Sequence, residues 1–397
     1  MHLLPKQGWT SLLRLTLLLC LAAIMMLHPQ QIFPAAKRGI DTWWQVVFPG
    51  LFPFFVISEL MIQLGVVHFL SIFLEPVMRP LFNVPGAGAL VVAAGYTSGA
   101  PIGGILTSQL HRQNLIDREE AARLVAFTNN ASPLFMLSSV AVGFLHLPQV
   151  GWLLALSHYS ANIITGVFLK YLSPPKTAPA AGYPLRTLFR LAVSHMEKAR
   201  QANHKPFGHL LGDATKKAMQ NILVVGGFII VFSVLIEILT LLGFVKIAGA
   251  AIGYFLIPLG FAPDLLVPLA SGLLEMTIGI KMVSESNAPF LQQLVCTSLL
   301  LGWAGVAVHA QVAAFTSEAG IPFGPYFLAR GLQACLSGII TFIAGLSVLP
   351  FLSLEVIQVR PPSAWTLVLQ SVKTMAAILG LLSCMSLMAV LRRSIRT

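Results

Sequence analysis

Two parts of this chain read alike, and both are apolar enough for a lipid bilayer. Around Glu59 the sequence runs S-E-L-M-I-Q-L-G-V-V (residues 58–67), and around Glu237 it runs I-E-I-L-T-L-L-G-F-V (236–245), with a glycine six residues after each glutamate. Further on, L-V-V-A-A-G-Y-T-S-G (90–99) is answered by L-V-P-L-A-S-G-L-L-E (266–275). A duplicated hydrophobic chain interrupted by glycine and proline is the pattern expected of a transporter whose substrate sits between two repeats.

Composition agrees with a membrane setting. Of 397 residues, 56% are hydrophobic and only 10% charged, too much apolar surface for one soluble core. Long apolar runs lie at 15–27, 43–67, 124–147, 152–171, 222–244, 294–315, 327–349 and 365–391. A helix needs about 20 residues to cross ~30 Å of hydrocarbon, and several of these runs reach that length. The first run follows Lys6 and Arg14 but no small-x-small cleavage pattern follows it, so a retained first helix is expected. Cys20, Cys296, Cys335 and Cys384 lack CxxC spacing and imply neither a metal nor a disulfide framework. No GxSxG elbow, HExxH or Walker-A loop is present. The expectation is a protein with no catalytic residues, no metal and no cofactor.

Charge sets the topology. The net charge is +11, and nine Lys/Arg fall between Lys170 and Lys217 without the aromatic interleaving of a nucleic-acid surface. A cytoplasmic loop explains them, and nucleic acid is not an expected partner. With Lys6 and Arg14, that loop, and Arg392, Arg393 and Arg396 all inside, Lys37–Asp41 falls outside and each repeat crosses an odd number of times. Inverted-topology repeats follow from that parity. Prolines 76, 80, 85 and 101, and 258, 263 and 268, predict discontinuous or re-entrant helices in matching places. The expected fold is an all-α polytopic membrane protein, divided into 1–41 (first helix and external turn), 42–172 (first repeat), 173–217 (basic loop), 218–349 (inverted second repeat) and 350–397 (external turn, last helix and basic tail). Residues 173–182 read as a Pro/Ala linker and 183–220 as an amphipathic region. In 108–123 the charges of Arg112, Asp117, Arg118, Glu119, Glu120 and Arg123 are expected on a solvated side.

Polar residues inside apolar runs mark candidate sites. Gly95, Gly99 and Gly103 form a helical stripe, suited to close packing or, with Ser98 and Pro101, to a broken helix facing a ligand. Asn129, Asn130 and Ser132 precede and flank Pro133, and unpaired amides at membrane depth cost several kcal/mol. The matching segment of the second repeat offers His309 and Gln311. Glu275, with Thr277 and Lys281 following, is the candidate for a coupling ion or proton, with a structural pair to Lys281 or Arg330 as the alternative. Glu59 and Glu237 are expected to share a structural task. His146 and His158 read as interfacial.

The motifs G-Y-T-S-G-A-P (95–101), F-T-N-N-A-S-P-L-F (127–135), S-G-L-L-E-M-T-I-G-I-K (271–281) and W-A-G-V-A-V-H-A-Q-V (303–312) together resemble the nucleoside-recognition Gate group, specifically the sporulation integral membrane proteins of the YlbJ type. The resemblance covers residues 40–345. It implies a fold similar to concentrative nucleoside transporters. It also implies a multi-pass protein of the cell membrane, or of the membrane surrounding the forespore, that moves dipicolinate from mother cell toward forespore beside other sporulation membrane proteins. Tyr96-Thr97-Ser98 and Ala131-Ser132 depart from the pattern, in which Tyr-Pro and Ser-Gly stand, and that departure touches the ligand rather than the fold. The alternatives are a nucleoside or nucleobase permease, and a non-transporting membrane scaffold working through the basic loop.

Overall fold

A glycine with φ 77° ends the long helix near the start of each half, Gly65 in the first and Gly243 in the second. That backbone conformation strains any L side chain. Gly65 is doubly constrained, because a Cβ there would stand 2.6 Å from the Met196 carbonyl oxygen. These are the two glycines that follow Glu59 and Glu237 in the sequence.

The computed structural model describes residues 6–133, 135–171, 184–202 and 205–351, with Gly380, Ser383 and Met388. Apart from those three residues, the helix expected over 365–391 and the basic tail lie outside the described residues, as does the linker at 173–182. Helix α1 (Lys6–Leu27) meets α2 (Pro29–Thr42) at a bend of 102°, and α2 runs through a π-helical turn, Trp43–Val47, into α3 (Phe48–Gln63). After Gly65 come α4 (Val66–Phe73), α5 (Glu75–Phe82), α6 (Gly88–Ser98), α7 (Ile102–Arg112), α8 (Arg118–Thr128), a π-helical segment Phe135–Phe144, and α9 (Val150–Lys170). Helix α10 (Leu185–Ala202) leads to α11 (Phe207–Leu241), which is unbroken through the boundary expected at 217/218. Beyond Gly243 follow α12 (Phe244–Leu256), α13 (Leu266–Leu274), α14 (Met276–Ser284), α15 (Phe290–Trp303), α16 (Gly305–Glu318) and α17 (Gly324–Val348). Four helical stretches are long and apolar enough to cross a membrane, or six if each bent pair is one span, among the described residues. The protein is an all-helical multi-pass membrane protein.

Helices α2 and α3 pack antiparallel to α11. Arg38 pairs with Glu237 at 2.7 Å and Lys217 with Glu59 at 2.8 Å, so each of the two glutamates makes an interhelical ion pair. Between them Trp43 donates its Nε1 hydrogen to the Ile222 carbonyl (3.0 Å), and its ring lies where a side chain at Gly226 would go. Helix α10 turns its apolar face to α4, with Leu188 buried and Phe189 edge-on to Phe69 and Phe73.

Two hydrophobic cores interleave the halves. One joins α3–α8 to Ala218, Ile222, Val312, Ile321 and Tyr326, and the other joins the π-helical segment and α9 to α13–α15. This sharing explains why neither half is a separate layer.

The charges expected on the solvated side of 108–123 are divided. Glu120 and Arg123 are buried, whereas Arg112, Asp117, Arg118 and Glu119 are exposed. Glu120 is needed inside because it closes the capping box with Asp117 at the start of α8 and pairs with Arg79, which also holds Glu75 at 2.8 Å. Glu75 in turn accepts the Gly86 N–H at 2.6 Å. Removing the cation strands two buried carboxylates, so Arg79→Met is expected to destabilise the protein by about 3–5 kcal/mol. The check is the thermal midpoint in detergent, where an unchanged midpoint would show that the triad contributes no net stability.

Candidate functional site

The four motifs that interrupt the apolar pattern are four breaks in helices, and they meet in pairs. In the first pair α6 stops before Gly99 (φ 87°) and α7 resumes at Ile102, beyond the cis peptide at Ala100-Pro101. Helix α8 stops at Thr128, and residues 129–132 are non-helical before the chain turns into the π-helical segment. The breaks touch where the Ala100 N–H donates to the Asn130 carbonyl at 2.7 Å. Asn129 closes the joint, its Oδ1 accepting from Gly104 N in the first turn of α7 (2.9 Å) while its Nδ2 donates to the Val125 carbonyl (2.7 Å). Ser132 Oγ accepts from Phe135 N at 3.2 Å. Orphaned N–H groups at these helix starts thus find side-chain partners.

In the second pair, α13 and α14 are separated by Glu275 in extended conformation, and its carboxylate caps α14 by accepting from Thr277 N (3.0 Å) and Ile278 N (2.8 Å). Helix α15 ends at Trp303, and Ala304 (φ 72°) and Gly305 (φ 84°) turn the chain into α16. A Cβ on Gly305 would lie 3.0 Å from Met276 N, so this break rests on the one at Glu275. Trp303 Nε1 donates to the Leu273 carbonyl at 3.0 Å.

The two crossings face a shared cavity of about 950 Å³. Gly99, Asn130 and Ser132 line it from the first half, Glu275, Thr277, Lys281 and Gln311 from the second, and α11 supplies Val225, Ile229, Phe232 and Ile236. Asn130 and Gln311 are almost wholly buried at its floor. Arg38 and Lys281, each 60% exposed, stand at its mouth with Asp41, Glu237 and Glu285. At the opposite end α7 and α16 close together. Gly104 packs on Val312, Ser108 Oγ donates to the Phe315 carbonyl (3.1 Å), Arg112 pairs with Glu318 (3.5 Å), and Arg118 donates to the Gly320 carbonyl (3.0 Å).

Seven of the residues singled out in the sequence therefore line one space. Gly95 does not, because it packs where a Cβ would strike the Thr128 carbonyl. Asn129 is consumed by the α7 joint, and His309 lies buried between Trp303 and Tyr326, with Nδ1 3.0 Å from the Tyr326 hydroxyl. The side chain of Ser98 lies outside the described residues. Neither alternative ion pair forms at Glu275, since Lys281 stands 3.9 Å from Glu285 and Arg330 donates to main-chain carbonyls.

The structure adds residues that the sequence reading passed over. His158 is fully buried rather than interfacial, whereas His146 is exposed. Gln333 of α17 holds together Asn130 (3.3 Å), Asn162 (2.9 Å) and the His158 ring (3.4 Å), and Tyr96 hydrogen-bonds Asn162. The signal was available: His158, Asn162 and Thr165, and likewise Arg330, Gln333, Ser337 and Thr341, recur at helical spacing inside apolar runs.

Known proteins share this arrangement of sequence. The chain matches the family described as Gate, nucleoside recognition, over residues 44–148 and 222–322. The chain belongs to the Gate family. The first Gate stretch contains the crossing at Gly99–Ser132, and the second contains the crossing at Glu275–Gln311. Among similar proteins, sporulation integral membrane protein YlbJ of Bacillus subtilis is 40% identical over 345 residues, covering 84% of this chain and 82% of the relative. An uncharacterized protein of Alkalihalophilus pseudofirmus is 25% identical over 128 residues, which is 32% of this chain and 25% of that protein.

Proposed function

We propose that this Gate protein is a gradient-driven membrane transporter that carries a small organic anion through the cavity between its two crossings. The observation that carries the reading is the meeting of two pairs of broken helices, one pair from each half, at a cavity open at one end and closed at the other. Irregular backbone is tolerated at membrane depth where it is buried in protein or lines a cavity, and broken helices at the interface of two repeats are where transporters hold substrate. The antiparallel packing of α11 on α2–α3, each ending in a glycine turn, supports inverted repeats and a likeness to concentrative nucleoside transporters.

Positive-inside orientation puts Lys217 in the cytoplasm and Arg38 outside, with both chain termini cytoplasmic and the cavity open outward. Parting α7 from α16 would open it to the other side. In this reading Asn130, Gln311, Ser132 and Thr277 bind the substrate, with N–H and O–H donors for an anion. Glu275 takes the coupling proton or cation, as its carboxylate faces the cavity with no basic side chain in ion-pair reach among the described residues. Gly95, Asn129 and His309 frame the site.

A relative named for sporulation makes dipicolinate, moved from mother cell toward forespore, the first substrate to try. Other sporulation membrane proteins are candidate partners. A nucleoside permease is the second reading, favoured by the paired amides of Asn130 and Gln311 and by the family description. Purified protein in proteoliposomes is expected to take up labelled dipicolinate saturably, with competition by unlabelled dipicolinate and none by uridine. Competition by uridine would move the assignment to nucleosides, and absence of flux of either compound by folded protein would count against transport and for a membrane scaffold.

A further inference from the structure

Arg330 of α17 is fully buried beside the first crossing and has no carboxylate in ion-pair reach among the described residues. Its Nη1 donates to the Asn129 carbonyl (2.8 Å), its Nη2 donates to the Ala126 carbonyl (2.9 Å), and its Nε has no hydrogen-bond partner. Those carbonyls end α8 at the break. Capping them is a structural task, yet it leaves charge over: a helix C-terminus carries about half a negative charge, so a whole guanidinium more than cancels it. The Tyr326 ring lies 5.8 Å away, Tyr96, His158 and His309 are within electrostatic reach, and Gln333 is one turn on. None of these is a carboxylate.

The excess charge stands directly behind the cavity wall. Asn130, Ala131 and Ser132, which follow the Asn129 carbonyl that Arg330 holds, all line the cavity, and the facing crossing presents the Glu275 carboxylate. Charges buried away from water are screened far less than surface charges, so the two walls differ in potential across the space a ligand must occupy.

We infer that Arg330 is a specificity-determining residue, giving the first crossing a positive potential that draws the anionic end of a ligand to Asn130–Ser132 and away from Glu275. The inference rests on the anion reading above and adds where the anion docks and which group selects it. A ligand that fits has a carboxylate at the Asn130–Ser132 end and, facing Glu275, a hydrogen-bond donor, a protonated nitrogen or a second carboxylate that enters once Glu275 holds its proton or cation.

The test is charge-selective thiol labelling, which needs no substrate. With Cys20, Cys296, Cys335 and Cys384 replaced by alanine, Ser132→Cys is reacted with anionic sulfonatoethyl and cationic trimethylammonioethyl methanethiosulfonate, each rate normalised to that of a free thiol. The anionic reagent is expected to be favoured at Ser132→Cys relative to Thr277→Cys beside Glu275. Arg330→Gln is expected to lower the Ser132→Cys preference about tenfold and Arg330→Lys to retain it. Equal ratios at the two reporters, which need no change at Arg330, or a ratio unmoved by Arg330→Gln in folded protein, would overturn the inference. Anion flux with charge-neutral labelling would remove Arg330 and keep the transport reading. Charge-selective labelling with no anion flux would do the reverse.

Discussion

Glu275→Gln is expected to cut gradient-driven uptake by about a hundredfold while leaving a folded, monodisperse protein, a loss equivalent to ~3 kcal/mol. The separation of the two effects follows from what the carboxylate does. Its oxygens cap α14 through Thr277 N and Ile278 N. Glutamine keeps an acceptor for one of those donors, so the structural loss is at most that of a cap, about 1 kcal/mol. The charge itself is what glutamine removes. A carboxylate at membrane depth costs about 2.5–3.5 kcal/mol on insertion scales, and no basic side chain offsets it among the described residues. A cost of that size, at the wall of the cavity, is understandable if the group takes up and releases a proton or cation in each cycle. The measurement is uptake into proteoliposomes under an imposed pH or sodium gradient, beside exchange with no gradient. Loss of accumulation with exchange retained would identify Glu275 as the coupling group. Full accumulation by Glu275→Gln would remove it from the mechanism.

The places where the helices break were legible because the residues that break them are local. Gly99 with Pro101, the Asn129–Ser132 run and the proline-broken stretch that reaches Glu275 each interrupt an apolar stretch, and each is a break, whereas the break at Ala304 and Gly305 was not foreseen. Which way a side chain turns at a break was not legible. Asn129 and Asn130 are neighbours, yet one seals α7 and the other reaches the cavity floor, because helical periodicity has lapsed there and no longer assigns faces. Partners distant in sequence were hidden for a different reason. Arg330 and Gln333 act on residues some 200 positions earlier, and nothing in the local pattern of α17 says which carbonyls they will meet. Glu120 illustrates the same limit, as its capping-box spacing is readable from Asp117 while its burial depends on Arg79, 41 residues away.

The crossings also depend on backbones coming closer than side chains allow, and this sets the second large expectation. A Cβ on Gly279 would overlap the backbone of Gly272 and stand 2.9 Å from the Pro268 carbonyl oxygen, so α13 and α14 can lie this close only because residue 279 is glycine. A Cβ on Gly95 would strike the Thr128 carbonyl, the corresponding contact between α6 and α8. Neither obstruction is the flexible end of a side chain, so the helices themselves must part. Gly279→Ala and Gly95→Ala are each expected to lower stability by about 1–3 kcal/mol, the usual cost of overpacking. The functional cost is expected to be larger. Gly279 lies one turn beyond Glu275, and separating α13 from α14 displaces the break that carries the carboxylate; Thr128 likewise directly precedes the amides of the first crossing. Gly227 on α11 is the control, since a Cβ there meets nothing within 4 Å and its replacement by alanine is expected to leave the protein unharmed. Thermal midpoints of the three variants beside their uptake rates decide the matter. If Gly279→Ala and Gly95→Ala melt and transport as Gly227→Ala does, close contact of the broken helices is not what holds the site in register.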